Sequence, residues 1–153
     1  MKLNFFIAIF FLSNTIISQS SNNVVLNFSN IKNNKGYLRI GLYKDDFSFK
    51  KENPFSTKSF KKENIIDGKL SFNMNLKSGI YGIAFLDDEN ENGEMDYSFF
   101  IPQEGFGFSN YIHSGLQRPD FDEFKFIVSK NKSTSINLVA VSYTHLTLPT
   151  KVT

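Results

Sequence analysis

Apolar and polar residues alternate along most of this chain in short stretches. Alternation with a period of two is typical of β-strands that bury one face and expose the other. No window shows sustained helical periodicity, so the pattern predicts an all-β fold. The alternating apolar positions are Val24/Leu26/Phe28, Leu38/Ile40/Leu42, Leu70/Phe72/Met74/Leu76, Tyr81/Ile83/Phe85, Phe124/Phe126/Val128 and Ile136/Leu138. Turn residues separate them, at 33–36, 67–68 and 77–79.

Six or seven such strands predict an antiparallel Greek-key β-sandwich, because each strand is apolar on one face only. One detail supports this class. Leu76, the turn residue Gly79 and Tyr81 have the spacing of a tyrosine corner. In such a corner the phenol hydroxyl ties its strand back to a neighbouring connection. The alternative is a half-buried strand tyrosine without that bond.

The N-terminus has the pattern of a secretory signal peptide. A short basic start is followed by an apolar run from Phe5 to Leu12, and small residues follow at Ser18 and Ser20. The run is too short to cross the roughly 30 Å of membrane hydrocarbon. We therefore expect residues 1–20 to be cleaved, no transmembrane segment to remain, and the protein to be periplasmic or extracellular.

The C-terminus has an unusual origin. Residues 141–150, Val-Ser-Tyr-Thr-His-Leu-Thr-Leu-Pro-Thr, resemble one translated frame of a transposon-end sequencing adapter over ten consecutive positions. We therefore interpret residues 141–153 as an adapter-derived artefact and exclude them from fold reasoning. The alternative is a natural C-terminal strand. The predicted domain is then residues 21–140, enough for one compact unit.

The predicted domain is electrically neutral. The whole chain has 17 basic and 15 acidic residues, and removing Lys2 and Lys151 with the two ends leaves 15 of each. A neutral domain lacks the positive field that attracts nucleic acid or an anionic membrane, so we expect no nucleic-acid partner. The chain has no cysteine, so disulfides do not stabilise it despite the predicted export.

The segment 44–64 interrupts the strand pattern by mixing phenylalanines with lysines. One interpretation is a basic aromatic patch that binds a glycan or polyanion. The other is a long connection in which the phenylalanines cover the sandwich edge and the lysines are solvated, and the interspersed acids favour it. The residues concerned are Phe47, Phe49, Phe55, Phe60, Lys50, Lys51, Lys58, Lys61 and Lys62.

An acidic stretch, 87–96, contains six acidic residues and no basic one. Counted from Asp88, it places oxygen-bearing side chains at alternate positions and glycine at the sixth, which is how a loop wraps Ca²⁺. Position twelve is Phe99 instead of the bidentate glutamate of an EF-hand. The alternative is a plain hairpin, because Asn92-Gly93 is a strong turn by itself. Crowded acids without a base repel one another, which favours a cation.

The predicted calcium ligands are therefore the side chains of Asp88, Asn90 and Asn92, the carbonyl of Glu94, and Asp96 directly or through water. Two of these are neutral amides and the terminal glutamate is missing. We expect weak affinity, with a dissociation constant of roughly 10⁻⁴ to 10⁻³ M, as in extracellular modules.

Two further features of the sequence do not indicate a functional site. The run from Gly105 to Phe108 resembles an RNA-binding signature, but an acidic residue precedes it and no basic surface accompanies it, so we expect a rigid loop whose rings cover one end of the sandwich. His113 is the only histidine outside the tail, and we expect it to be solvated. No nucleophile elbow is present, and we expect no enzyme.

The acidic stretch, the following segment 101–110 and Pro119-Asp120-Phe121 together resemble the DUF2141 family over about residues 24–139. The resemblance implies a sandwich of the prealbumin or immunoglobulin type in an exported bacterial protein of unknown function. We expect a structural or binding role in the cell envelope, with a glycan or an envelope protein as partner. The alternative is a carbohydrate- or polyanion-binding module that uses 47–62 and the Phe106/Phe108 segment.

Overall fold

The computed structural model describes residues 21–115 and 117–143. In this part, ten strands and two short helices follow one another. They are β1 Asn22–Ser29, β2 Tyr37–Tyr43, α1 Asp46–Lys50, β3 Ser56–Lys61, β4 Leu70–Leu76, β5 Gly79–Asp88, β6 Tyr97–Ser98, β7 Ile101–Pro102, β8 Gly105–Phe108, α2 Phe121–Phe124, β9 Phe126–Val128 and β10 Thr134–Val139. The predicted signal peptide 1–20 and residues 144–153 of the predicted tail lie outside the described residues.

Two sheets form the body of the domain. The first has the order β10-β1-β4, and the second has the order β3-β2-β5-β8, with β9 also paired to β5. β1 and β2 are consecutive but lie in opposite sheets, and so do β4 and β5. β4 pairs with β1 in the first sheet, and β5 pairs with β2 in the second. This interlocking of two strand pairs is the Greek-key arrangement of immunoglobulin-like sandwiches. The all-β sandwich predicted from the alternation is confirmed.

The structure differs from the prediction in the direction and the number of the strands. β10 runs parallel to β1, with Leu26 opposite Ile136, whereas we expected antiparallel pairing throughout. β10 follows β9, which pairs with β5 in the other sheet, so no hairpin dictates the direction of β10. Ten strands are present among the described residues instead of the expected six or seven. β6 and β7 have only two residues each and cannot show alternation, and β3 and β8 lie in segments that were not expected to be strands.

The main core lies between the two sheets. It is built by the alternating apolar positions predicted from the sequence, and each fully buried residue of this kind contributes about 1.5–3 kcal/mol. Phe28 sits at its centre and makes edge-on contacts with Phe85 and Phe72 at ring-centroid distances of 5.2 and 6.1 Å. Its members include Val24, Leu26, Phe28, Leu38, Ile40, Leu42, Ile83, Phe85, Val128, Ile136 and Leu138.

The predicted tyrosine corner is present. Tyr81 lies near the start of β5, and its ring is buried. Its hydroxyl donates a hydrogen bond of 3.0 Å to the carbonyl of Lys77 in the β4–β5 connection. A buried phenol needs such a partner, because leaving it unpaired costs about 1–3 kcal/mol. The bond therefore fixes how the chain passes from the first sheet to the second.

A second, aromatic cluster lies on the outer face of the second sheet. Its buried members are Tyr43, Phe49, Phe108, Phe121 and Phe124. Phe49 comes from α1, and the last two phenylalanines come from α2, so both helices cover this face. The segment 105–108 was expected to be a loop and is instead strand β8, paired to β5. Its alternating glycines let the strand approach its neighbours: a Cβ on Gly107 would lie 2.3 Å from the carbonyl oxygen of Val139.

Neither helix in the described part of the chain is long and apolar enough to cross a membrane. The first residues of the predicted tail are described and contact the domain. Val141 exchanges two backbone hydrogen bonds with Phe106, of 2.8 and 3.1 Å. The Tyr143 hydroxyl donates to the carbonyl of Gly115, and its ring lies 6.0 Å from that of Phe106.

Candidate metal-binding loop

The acidic loop begins where β5 ends and lies at one end of the second sheet. Gly36, just before β2, makes its position possible. This glycine has φ +71°, and a Cβ there would lie 1.9 Å from the carbonyl oxygen of Asp88. Only glycine allows both the left-handed backbone and this close approach. The start of the acidic loop is thus pressed against the neighbouring strand of the sheet.

Asp88, the first predicted ligand, is fully buried. Its Oδ2 atom accepts a hydrogen bond of 3.0 Å from the backbone N–H of Gly93 and forms an ion pair with Nε of Arg39. Its Oδ1 atom is buried and has no hydrogen-bond partner within the described residues. A buried carboxylate oxygen without a donor is costly, so this atom is available to a ligand that supplies positive charge.

Three of the other predicted ligands lie together at the outer side of the loop. Asn90 and Asn92 both direct their side-chain NH₂ groups at the carboxylate of Asp96, at 2.5 and 3.1 Å. The Oδ1 atoms of the two asparagines accept backbone N–H groups two residues further on, at 3.0 and 2.9 Å. Each keeps a second acceptor position. The side chain of Glu94 is exposed, as expected if its carbonyl is the ligand.

Glu104 also belongs to this loop, although the sequence pattern did not suggest it. It lies between β7 and β8 and is only 5 % exposed. Its Oε1 atom accepts a hydrogen bond of 3.0 Å from the backbone N–H of Glu89, the residue after Asp88. Its Oε2 atom is buried without a partner in the described part of the chain. Two unpartnered carboxylate oxygens therefore belong to residues that the loop brings close together.

The charge state of Glu104 responds to this environment. Burial raises its pKa above the usual range for glutamate, and the negative charges of Asp88 and Asp96 add to the rise. The backbone N–H groups of Glu89 and Asp96 favour the charged carboxylate and oppose the rise without cancelling it. A carboxylate that is buried beside other negative charges is stabilised either by a proton or by a cation.

The oxygen atoms of this loop are of the type that a hard cation prefers, but their arrangement meets the requirements of a metal site only in part. Among the described residues, no group of three or more histidine, cysteine, aspartate or glutamate side chains is disposed to hold a metal ion. The predicted ligands include two amides and a carbonyl, which such a group would not contain. Oxygen ligands of mixed charge are what Ca²⁺ takes in weak extracellular sites. Asp88 and Glu104 would supply the charged oxygens, and Asn90, Asn92 and Asp96 the outer ones.

Two basic residues near the loop form ion pairs that the sequence did not predict. Arg39 alternates with core residues on β2, so it points outward and reaches the acidic loop. Lys62 was expected to be solvated, and this is wrong. Its side chain is fully buried and pairs with Asp87, with Nζ 2.5 Å from Oδ1. Lys62 lies between the charged residues Lys61 and Glu63, so nothing local signals its burial, and its partner Asp87 lies 25 residues away.

The other predicted features of the segment 44–64 are dispersed. Phe49 is buried in the aromatic cluster and Phe60 stacks on Phe72 at 4.4 Å, whereas Phe47 and Phe55 are exposed. Of the lysines in this segment, Lys44 places its Nζ 4.6 Å from the centroid of the Phe55 ring, whereas Lys62 is buried. The expectation that His113 is solvated is also wrong. It is 5 % exposed and packs against Phe106, Phe108 and Tyr111.

The fold and this loop together define a class: a small immunoglobulin-like β-sandwich with an acidic loop at one end of its second sheet. Within that class, residues 26–137 match the family described as an uncharacterized protein conserved in bacteria (DUF2141), so the chain belongs to the DUF2141 family. The resemblance inferred from the sequence motifs is confirmed. No curated protein and no solved structure matches the chain.

Proposed function

We propose that this protein is an exported β-sandwich module of the bacterial cell envelope whose acidic loop binds Ca²⁺. Its role is structural or binding, and it is not catalytic. The observation that carries the calcium proposal is the pair of buried, unpartnered carboxylate oxygens, Oδ1 of Asp88 and Oε2 of Glu104. A cation between them would satisfy both atoms, and it would offset the burial and the neighbouring negative charges that together raise the pKa of Glu104.

The proposal extends the ligand set predicted from the loop. Glu104 takes the place of the glutamate missing at position twelve, since it supplies a carboxylate from another part of the chain. Arg39 already neutralises one oxygen of Asp88, so a bound cation adds charge to a site that is partly compensated. This supports weak affinity, near the roughly 10⁻⁴ to 10⁻³ M of extracellular modules.

Thermal unfolding in Ca²⁺, Mg²⁺ and EDTA tests the proposal. Ca²⁺ at one to ten times the dissociation constant should stabilise the protein by about 0.4–1.4 kcal/mol, a rise of a few degrees in melting temperature. Mg²⁺ should do less, because it dehydrates reluctantly and demands a smaller octahedron. The calcium effect should shrink below neutral pH, because a proton competes for Glu104 and its raised pKa brings that competition to higher pH.

Three variants identify the ligands. Asp88→Asn and Glu104→Gln should each reduce the calcium shift strongly. Glu91→Gln is the matched control, because it removes the same charge from an exposed position of the same loop. If the unaltered protein shows no calcium shift up to about 10 mM, above the expected affinity range, the calcium proposal is wrong. If Glu104→Gln behaves like Glu91→Gln, Glu104 is not a ligand.

A further inference from the structure

The outer face of the first sheet is unusual in having no charged side chain. Ten residues of β1, β4 and β10 point away from the core, and all are asparagine, serine or valine. They are Asn23, Val25, Asn27, Ser29, Ser71, Asn73, Asn75, Ser135, Asn137 and Val139. Charged residues make up 21 % of the chain, so an exposed sheet face without any is a distinctive surface.

Part of this face forms the floor of an open groove with a volume of about 710 Å³. This volume lies within the roughly 300–1,000 Å³ of ligand-binding pockets. Asn27, Ser71 and Asn137 form one row across the three strands of the floor, as the strand registers show. The segment 110–112 forms a wall along the β10 edge. Among the described residues that line the groove, Lys69 is the one with a charge.

Hydrogen bonds hold the floor and the wall in place. The amide of Asn27 donates to Ser135 Oγ and accepts from Ser71 Oγ, both at 2.8 Å. Asn110 attaches the wall to β10: its backbone N–H donates to the carbonyl of Asn137 at 2.7 Å, and its Oδ1 accepts the N–H of Asn137 at 2.9 Å. A groove built in this way is formed before any ligand arrives, which lowers the entropic cost of binding.

Other groups in the groove are available. Within the described residues, the side-chain amide of Asn137 and the Nδ2 of Asn110 have no hydrogen-bond partner, and Asn137 is exposed. Tyr111 is half-buried, with its ring held against Phe108 at 6.3 Å, and Ile112 beside it is 75 % exposed. The groove therefore combines free amides with an apolar wall.

From this chemistry we infer that the groove is a binding site for an uncharged oligosaccharide. Amides and hydroxyls both donate and accept, so they match the hydroxyl groups of a sugar, and the Tyr111–Ile112 wall suits the apolar C–H face of a sugar ring. One lysine is too little to hold a nucleic acid or polyanion by charge. This site is separate from the calcium loop and from the segment 44–64.

The inference is tested by titrating the ¹⁵N-labelled protein, in EDTA, with cellotetraose, chitotetraose, maltotetraose and mannotetraose. At least one should shift backbone amide NMR signals around Asn27, Asn110 and Asn137, with a dissociation constant below about 10⁻³ M. Asn137→Ala removes a free amide without breaking a known bond and should weaken binding about 3- to 10-fold. Asn73→Ala, on the same face but outside the groove lining, should leave affinity unchanged.

Three results would overturn the inference. The first is that no tetrasaccharide shifts the groove signals at 10⁻² M. In the second, Asn137→Ala and Asn73→Ala have equal effects on affinity while both variants melt like the parent protein. The third is that a hyaluronan tetrasaccharide binds more tightly than every uncharged probe and loses that advantage in Lys69→Gln, which would show that the ligand is acidic. The use of EDTA keeps all three results independent of calcium binding.

Discussion

Replacement of the buried Lys62 by methionine tests how the acidic end of the sandwich is held together. Its Nζ atom lies 2.5 Å from Oδ1 of Asp87 and 3.4 Å from Oδ1 of Asn33, and both members of the ion pair have side chains no more than 1 % exposed. Methionine has a similar length and no charge. Lys62→Met therefore keeps most of the packing while leaving the carboxylate of Asp87 buried without its counter-charge.

The expected loss is large. Removing one member of a buried ion pair costs about 3–5 kcal/mol, because the remaining charge is left uncompensated in a medium of low polarity. A domain of this size has about 5–15 kcal/mol of stability in all. With a dependence on urea of about 2 kcal/mol per molar, the unfolding midpoint should fall by about 1.5–2.5 M. Replacing both residues, Lys62→Met with Asp87→Leu, should recover most of the loss.

The pH dependence supplies a second readout. Burial raises the pKa of Asp87, and the ion pair with Lys62 partly opposes this. Without Lys62, the folded-state pKa rises further above the unfolded value. A carboxyl of this kind contributes stability below its unfolded pKa and loses it as the pH rises through the folded pKa. The deficit of Lys62→Met relative to the parent protein should therefore be smaller at pH 5 than at pH 8.

Urea unfolding followed by far-ultraviolet circular dichroism measures both effects. Lys61→Met is the matched control, because Lys61 is adjacent in sequence and exposed, with its partner Glu63 also exposed. Its midpoint should stay unchanged. A loss below about 1 kcal/mol for Lys62→Met, or a deficit that grows as the pH falls, would refute the idea that this pair is a buried, coupled charge.

Three further predictions concern other parts of the chain. Tyr81→Phe removes the corner hydrogen bond and should cost about 1 kcal/mol, lowering the melting temperature by roughly 4 °C; an unchanged melting temperature contradicts the corner. Phe99 and Phe100 form the two-residue turn between β6 and β7 with φ 46° and 67°, and both are over 90 % exposed. Changing them to Asn and Gly should stabilise the protein by about 1–2 kcal/mol, and a lower melting temperature would argue against this turn. A chain that ends at Ala140 should melt within a few degrees of the full chain, whereas a loss above about 10 °C would show that the tail packs as a genuine strand.

The sequence alone was enough to predict the features that depend on residues close together in the chain. The alternation of Val24, Leu26 and Phe28 identifies a strand and its buried face, because successive side chains point to opposite sides. The spacing of Leu76, Gly79 and Tyr81 predicted a corner, since its hydrogen bond joins residues only four apart. The family was also recognisable from contiguous motifs.

Only the tertiary structure decided which distant residues meet. The parallel pairing of β10, the burial of Lys62 against Asp87 and the approach of Glu104 to the acidic loop all join parts of the chain that are far apart in sequence. The burial of His113 was not predicted because much of it comes from the rings of Phe106 and Phe108 on β8, a segment that was expected to be a loop. Local pattern determines which face of a strand is apolar. The packing of the two sheets determines which polar side chains become buried and therefore need a partner inside the protein.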